Sequence, residues 1–266
     1  MTKESNLIIE ISSLVRVEIL SLLQSSSLKT SQIAKKTNST VQGVKRHLER
    51  LSKAKLIQKQ IDGNFSLTPI GYSVLLQIDF FNFFSNNSMY FSNHLLDGIP
   101  EHMIRRMGEL VSGEYESNTM KGLQRVRNMI VDNNEWAHGI AAVVPLEFFD
   151  VMKTNLEKGV THKIIFGKNT IVPKGFENYP TRINQWLSAK KKNQIEEKFT
   201  EHVPLNMVVT DNEALLVFFN NTGALDAKSM FFGKDELFRK WCEDLFDYFW
   251  NVVPEVPEFK IKEMQL

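Results

Sequence analysis

The apolar positions in the first third of the chain fall into short helical periods separated by polar runs. From about Asn6 to Gln24, Leu7, Ile11, Leu14, Ile19, Leu22 and Leu23 recur near helical spacing, and the polar run Gln24 to Ser27 closes the segment. Thr30 or Ser31 can then cap a short helix carrying Ile33 and Ala34, which stops at Thr37-Asn38. Asparagine tolerates positive φ, so Asn38 suits a tight turn between helices. A new cap at Thr40 opens a third helix through Ala54, with Val41, Val44, Leu48 and Leu51 predicted as its buried stripe.

The period then changes from helix to strand. Two short runs, Leu56 to Ile61 and Asn64 to Leu67, flank Asp62-Gly63, a pair that accepts the positive φ angles of a type I′ turn and so predicts a β-hairpin. Thr68-Pro69 reads as a helix start with proline at the first helical position. Three helices, a hairpin and a further helix are the order of a winged helix-turn-helix. From Ile70 to about Leu96 the pattern stays helical and rich in aromatics, with a break expected at Ser85 to Ser88.

A second pattern follows Asp132. Gly139 to Val144 and Lys163 to Phe166 read as strands, and Leu146 to Lys158 and residues 176–198 as helices. Leu205 to Thr210 and Ala214 to Phe219 predict paired strands, Ser229 to Phe232 a last strand, and Asp235 to Val253 a closing helix. The fold class expected is α+β: a winged helix-turn-helix followed by an α/β layered domain with one main sheet. The expected division is 1–78 for the winged helix-turn-helix, 79–132 for a helical linker or dimerisation segment, and 133–266 for an effector domain.

Charge sharpens this picture. The 266 residues carry a net charge of only +1. Residues 1–78, however, hold 11 basic against 5 acidic groups, a charge of +6, and the remaining 188 carry 21 against 26, or −5. A basic head on an acidic body is expected where one domain meets phosphates and the other stays off them. No run of about 18 apolar residues or apolar leader occurs, so no membrane partner is expected, and one cysteine, Cys242, fits a cytoplasmic chain without disulfides.

The chemistry-bearing constellation is the polar face of the third helix. In a helix-turn-helix the first turns of this element enter the major groove, where Gln pairs with adenine and Arg or Lys with guanine. Thr40, Gln42, Gly43, Lys45 and Arg46 are therefore the expected DNA surface, with Gln42 and Arg46 as base readers. Arg50, Lys53 and Lys55 lie later and suit phosphates, and Lys59 stands on the wing near the backbone. The alternative is that the winged helix docks a protein of the transcription machinery.

Enzyme signatures are missing from the sequence: there is no Gly-rich phosphate loop, paired-His zinc helix or Gly-x-Ser-x-Gly elbow. Cys242 has no neighbouring ligand of the right kind, so no metal or cofactor is expected, and it reads as a buried structural residue. Glu243, Asp244 and Asp247 read as a solvated helix face, and the four tryptophans as core filling. Four phenylalanines within Phe80 to Phe84 cannot all face one side of a helix, so this stretch is the expected homodimer surface, or else a contact with the C-terminal domain.

The segment Ile33 to Leu51, followed by Lys53-Ala54-Lys55-Leu56-Ile57, resembles the ArsR-type winged-helix signature, and the likeness covers residues 1 to about 78. It departs at Ser39, where the family usually has an apolar residue, and at Gly43, where it has Ser or Thr. The strands Gly139 to Pro145, Gly159 to Phe166 and Leu205 to Asp211, with Phe249-Trp250, are similar to the C-terminal domain of archaeal methanogenesis-regulator-like transcription factors. The resemblance implies an archaeal regulator that binds double-stranded DNA and senses a signal, through an unknown small-molecule effector, in its C-terminal domain. Such domains are akin to a phospholipase D-like sheet, whose chemistry needs a His with Lys two residues on. None of the six histidines, His47, His94, His102, His138, His162 and His202, has one.

Overall fold

The N-terminal apolar segment is two helices, α1 (Leu7–Ile11) and α2 (Leu14–Ser25), where its periodicity predicted one. The Arg16 guanidinium takes the carbonyls of Ile9 and Glu10, both at 2.7 Å, and so satisfies the end of α1 where the two serines Ser12-Ser13 turn the chain. The computed structural model describes residues 7–144, 146–171 and 180–256, which fall into two compact units that divide between Asn86 and Asn87.

In the first unit α3 (Thr30–Lys36) and α4 (Val41–Lys53) follow. Lys29, not Thr30 or Ser31, is the residue before α3, and its N–H donates to the Gln32 side chain at 2.8 Å. Asn38 holds the turn at φ 48°, as expected of asparagine there. Thr40 caps α4 by accepting from the Gly43 N–H at 3.1 Å. Val44, Leu48 and Leu51 reach the core, built with Ile19, Leu20, Leu23, Ile33 and Leu56. Val41 does not: it sits in the first turn of α4, 46% exposed.

The wing pairs β1 (Ile57–Lys59) with β2 (Phe65–Leu67) antiparallel, and Leu28 adds a bridge to Phe65. Its turn is not type I′. Gly63 donates to the Gln60 carbonyl at 3.0 Å and Gln60 to that of Asn64 at 2.7 Å, and Gly63 alone in the loop has positive φ, 81°. This is a three-residue loop with a left-handed glycine, chosen because the Asp62 carboxylate binds the Asn64 N–H at 2.9 Å and its side chain at 2.7 Å. α5 (Pro69–Asn86) begins at the proline, with Thr68 accepting from Gly71 at 3.1 Å.

The second unit starts with α6 (Ser88–Phe91), α7 (Glu101–Ile104), a 3₁₀ turn (Met107–Leu110), β3 (Glu114–Glu116) and α8 (Thr119–Val131). Residues 87–132 are thus built into this unit, not a separate helical connection: β3 is the edge strand of its sheet, paired antiparallel with residues 230–232. Next come β4 (Trp136–Val143), α9 (Leu146–Lys158), β5 (Thr161–Ile171), α10 (Pro180–Lys191), β6 (Ile195–Thr200), β7 (Leu205–Thr210), β8 (Ala214–Phe218), β9 (Met230–Gly233) and α11 (Glu236–Asn251). Among the described residues they form one seven-stranded sheet ordered β3-β9-β8-β7-β4-β5-β6, parallel across β4-β5-β6 and antiparallel elsewhere.

The helix expected over 176–198 ends at Lys191, and Ile195–Thr200 is a strand instead, paired parallel with β5 at the edge of the sheet. Residues 176–179 and Pro145 lie outside the described residues. Trp241 and Cys242 are fully buried on α11, and burial pushes the Cys242 thiol up. Asp244 is not merely solvated: it binds Arg106 and Lys240, each at 2.7 Å.

Candidate nucleic-acid interface

α4 is held by its apolar stripe on the core, and the helical period turns the intervening residues outward. Thr40, Gln42, Lys45, Arg46, Lys53 and Lys59 are exposed, and Gly43 is half-buried beneath the cap. No acidic side chain pairs with Lys45, Arg46, Lys53 or Lys59 among the described residues, so a cationic strip runs along the outer face of α4. A Cβ on Gly43 would stand 3.1 Å from the Thr40 hydroxyl oxygen, so the glycine leaves the cap uncrowded. Lys35 and Lys36, in the last turn of α3, are also exposed.

Arg50 differs from its neighbours. Its guanidinium donates to both carboxylate oxygens of Glu10 on α1, at 3.1 and 2.9 Å, and Arg16 reaches the same carboxylate at 3.1 Å. Arg50 remains 51% exposed on its side chain, whereas Glu10 and Arg16 are buried. The hydrogen bond from Arg50 holds the Glu10 carboxyl below the usual range. Burial, reinforced by Arg16 and Arg50, lowers His47 beside them.

A residue expected to meet phosphate is thus committed to an internal pair. Sequence reasoning missed Glu10, because nothing in a pattern couples a helix of five residues to one 40 positions on. It also missed Ile61, which stands fully exposed at the wing tip beside Asp62 and Asn64. In α5 the phenylalanines divide: Phe83 is buried, Phe80 and Phe84 are half-buried, and Phe81 is 58% exposed.

A winged helix-turn-helix with an uncovered cationic recognition face, followed by a separate mixed-sheet unit, defines a regulator of the DNA-binding class. Family comparison makes the class specific. Residues 14–59 match the bacterial regulatory protein arsR family, and residues 121–252 match the middle domain of the methanogenesis regulatory protein FilR1. The chain therefore carries an arsR-type helix-turn-helix and a methanogenesis-regulator-type domain, as its motifs resembled.

Among solved structures, the archaeal chromatin protein TrmBL2 is similar at 12% identity and TM-score 0.43, over 92% of this chain and 94% of that one. The phospholipase D family member Nuc from Salmonella typhimurium is similar at 14% identity and TM-score 0.39, over 55% of this chain and 99% of that one. NucT from Helicobacter pylori gives 9% identity and TM-score 0.37, over 54% and 100%. A search of curated proteins found no match to the chain.

Proposed function

We propose that the protein is a cytoplasmic, non-enzymatic transcriptional regulator that binds duplex DNA as a homodimer, with its second unit sensing a signal. The observation that carries this reading is the outer face of α4, where Gln42, Lys45, Arg46 and Lys53 are exposed together. Gln42 and Arg46, in the first turns, suit base edges, while Lys53 and Lys59 suit phosphates. Arg50 contributes to that face only when released from Glu10. Two recognition helices in a dimer would address an inverted repeat one helical turn apart. No helix among the described residues is long and apolar enough to cross a membrane.

The test is fluorescence anisotropy of labelled duplexes titrated with the full chain across salt concentrations. Binding should weaken linearly on a log-log plot, with a slope near −0.9 for each phosphate neutralised. Salt-independent binding, or none at low salt together with capture of a transcription-machinery protein, would reject it in favour of a protein-docking role.

A further inference from the structure

The second unit holds an apolar, partly open cavity of about 110 Å³ between one face of its sheet and the helices α8, α9 and α10. Its floor is β4, whose Ala137, Gly139 and Ala141 alternate onto this face beside His162, Ile164 and Phe166 of β5, their registered partners. Phe148 and Trp186 line it from α9 and α10. Small floor residues make the space. At Gly139 a Cβ would meet only the Met207 carbonyl oxygen, at an ordinary 3.5 Å, so packing does not demand glycine there. A glycine inside a strand weakens it, and such positions are often bulges, bends or places where a ligand or another backbone approaches closely.

Three polar residues, His138, His162 and Asn206, interrupt the apolar lining. His162 is 2% exposed and its Nε2 is buried without a hydrogen-bond partner. A buried polar atom left unpaired is costly, so such an atom calls for a partner, a ligand or an ordered water. Asn206 also lines the space, but its Oδ1 already accepts from Ala142 and Val143 at 3.0 and 3.2 Å, which leaves only its Nδ2 as a donor. No Lys, Arg, Asp or Glu lines the cavity among the described residues. A charged ligand would lose its hydration with no counter-charge to replace it.

We propose that this cavity binds a small, neutral, mostly apolar molecule of about one ring, with a single hydroxyl or carbonyl group directed at His162 Nε2. Size and chemistry set the class: an apolar cavity of roughly 150 Å³ accepts benzene, whereas drug-sized ligands occupy about 300 Å³ or more. A neutral imidazole can donate at one nitrogen and accept at the other, so it serves either polar group. The proposal deepens the sensing role assigned to the second unit and is independent of DNA binding.

Benzene, phenol and benzoate are titrated into the full chain, followed by methyl NMR with labelled alanine and isoleucine. Phenol and benzene should give saturable shifts at Ala137, Ala141 and Ile164, with phenol binding roughly three- to tenfold tighter, and benzoate should give none. His162→Phe should bring phenol down to the benzene level while benzene binding persists. Ala141→Leu should abolish both, and Gly139→Ala, which adds one methyl at ordinary contact distance, should weaken both should the larger substitution prevent folding.

The site is overturned if no probe saturates, which would mean a dry or water-filled void only, if benzoate binds like phenol, or if folded Ala141→Leu binds as before. Duplex affinity is measured on the same samples. Its absence strikes the regulator reading and leaves the cavity standing, and intact duplex binding without saturable shifts does the reverse.

Discussion

Arg50 grips Glu10 through two hydrogen bonds, 3.1 and 2.9 Å long, and so ties the first helix to the recognition helix. Because Arg16 shares the carboxylate at 3.1 Å, one buried acid restrains two guanidinium groups. Glu10→Gln should free Arg50, steepen the log-log salt slope of duplex binding by about one unit, and lower the stability of the first unit by about 1–3 kcal/mol. An unchanged slope would mean that Arg50 has no reach to phosphate. The sign with pH follows from the depressed Glu10 carboxyl: its contribution is full above the unfolded value of about 4.3 and is lost as pH falls through the lower folded value. Acid should therefore destabilise the parent's first unit more than that of Glu10→Gln, as circular dichroism would show.

The exposed face of α4 divides by position. Arg46→Ala and Gln42→Ala should each weaken the preferred duplex by about 1–3 kcal/mol while leaving random duplexes nearly unaffected. Lys53→Ala should weaken all sequences alike and reduce the salt slope by about one. Anisotropy against one specific and one scrambled duplex measures both effects. Identical losses for Arg46→Ala and Lys53→Ala on the two duplexes would remove the distinction.

His138 and His162 supply a pH test of the second unit. Burial pushes both down to about 4, with Lys163 adding to the shift at His138 and His138 to that at His162. Between that value and the ordinary 6.5 the unfolded chain binds more protons than the folded one. Stability should therefore fall as pH drops from 6.5 toward 4, by up to about 1.4 kcal/mol per pH unit for each histidine kept neutral. All four tryptophans, Trp136, Trp186, Trp241 and Trp250, lie in this unit, so their emission during urea unfolding at several pH values isolates it. His162→Phe should flatten the dependence by about one proton, and an equally steep curve would contradict the assignment.

Gly71 is fixed by space. A Cβ there would stand 2.0 Å from the Leu56 carbonyl oxygen, a backbone atom that cannot swing away. Gly71→Ala should cost the first unit more than about 3 kcal/mol, or prevent its folding, while tryptophan emission from the second unit stays unchanged. A near-neutral effect in thermal unfolding followed by circular dichroism would show that α5 can shift away from the wing.

What the sequence determined by itself was local. The helical periods of α3, α4 and α11, the Thr40 cap, the Asn38 turn, the Pro69 start and the paired strands at 205–218 each depend on residues within a few positions of one another, and each stands where it was expected. Even the cationic strip on α4 was legible, because burying Val44, Leu48 and Leu51 leaves its members no other direction to face. Only the tertiary structure decided the rest. The three residues of β3 carry too little pattern to announce a strand and become one by pairing with β9. The Asp62 carboxylate, not the Asp-Gly pair alone, selected the wing turn. The committed state of Arg50 and the unpaired Nε2 of His162 likewise depend on partners, or on their absence, far away along the chain. Hydrophobic periodicity records which face of an element is buried, and it holds no information on which distant group will meet that face.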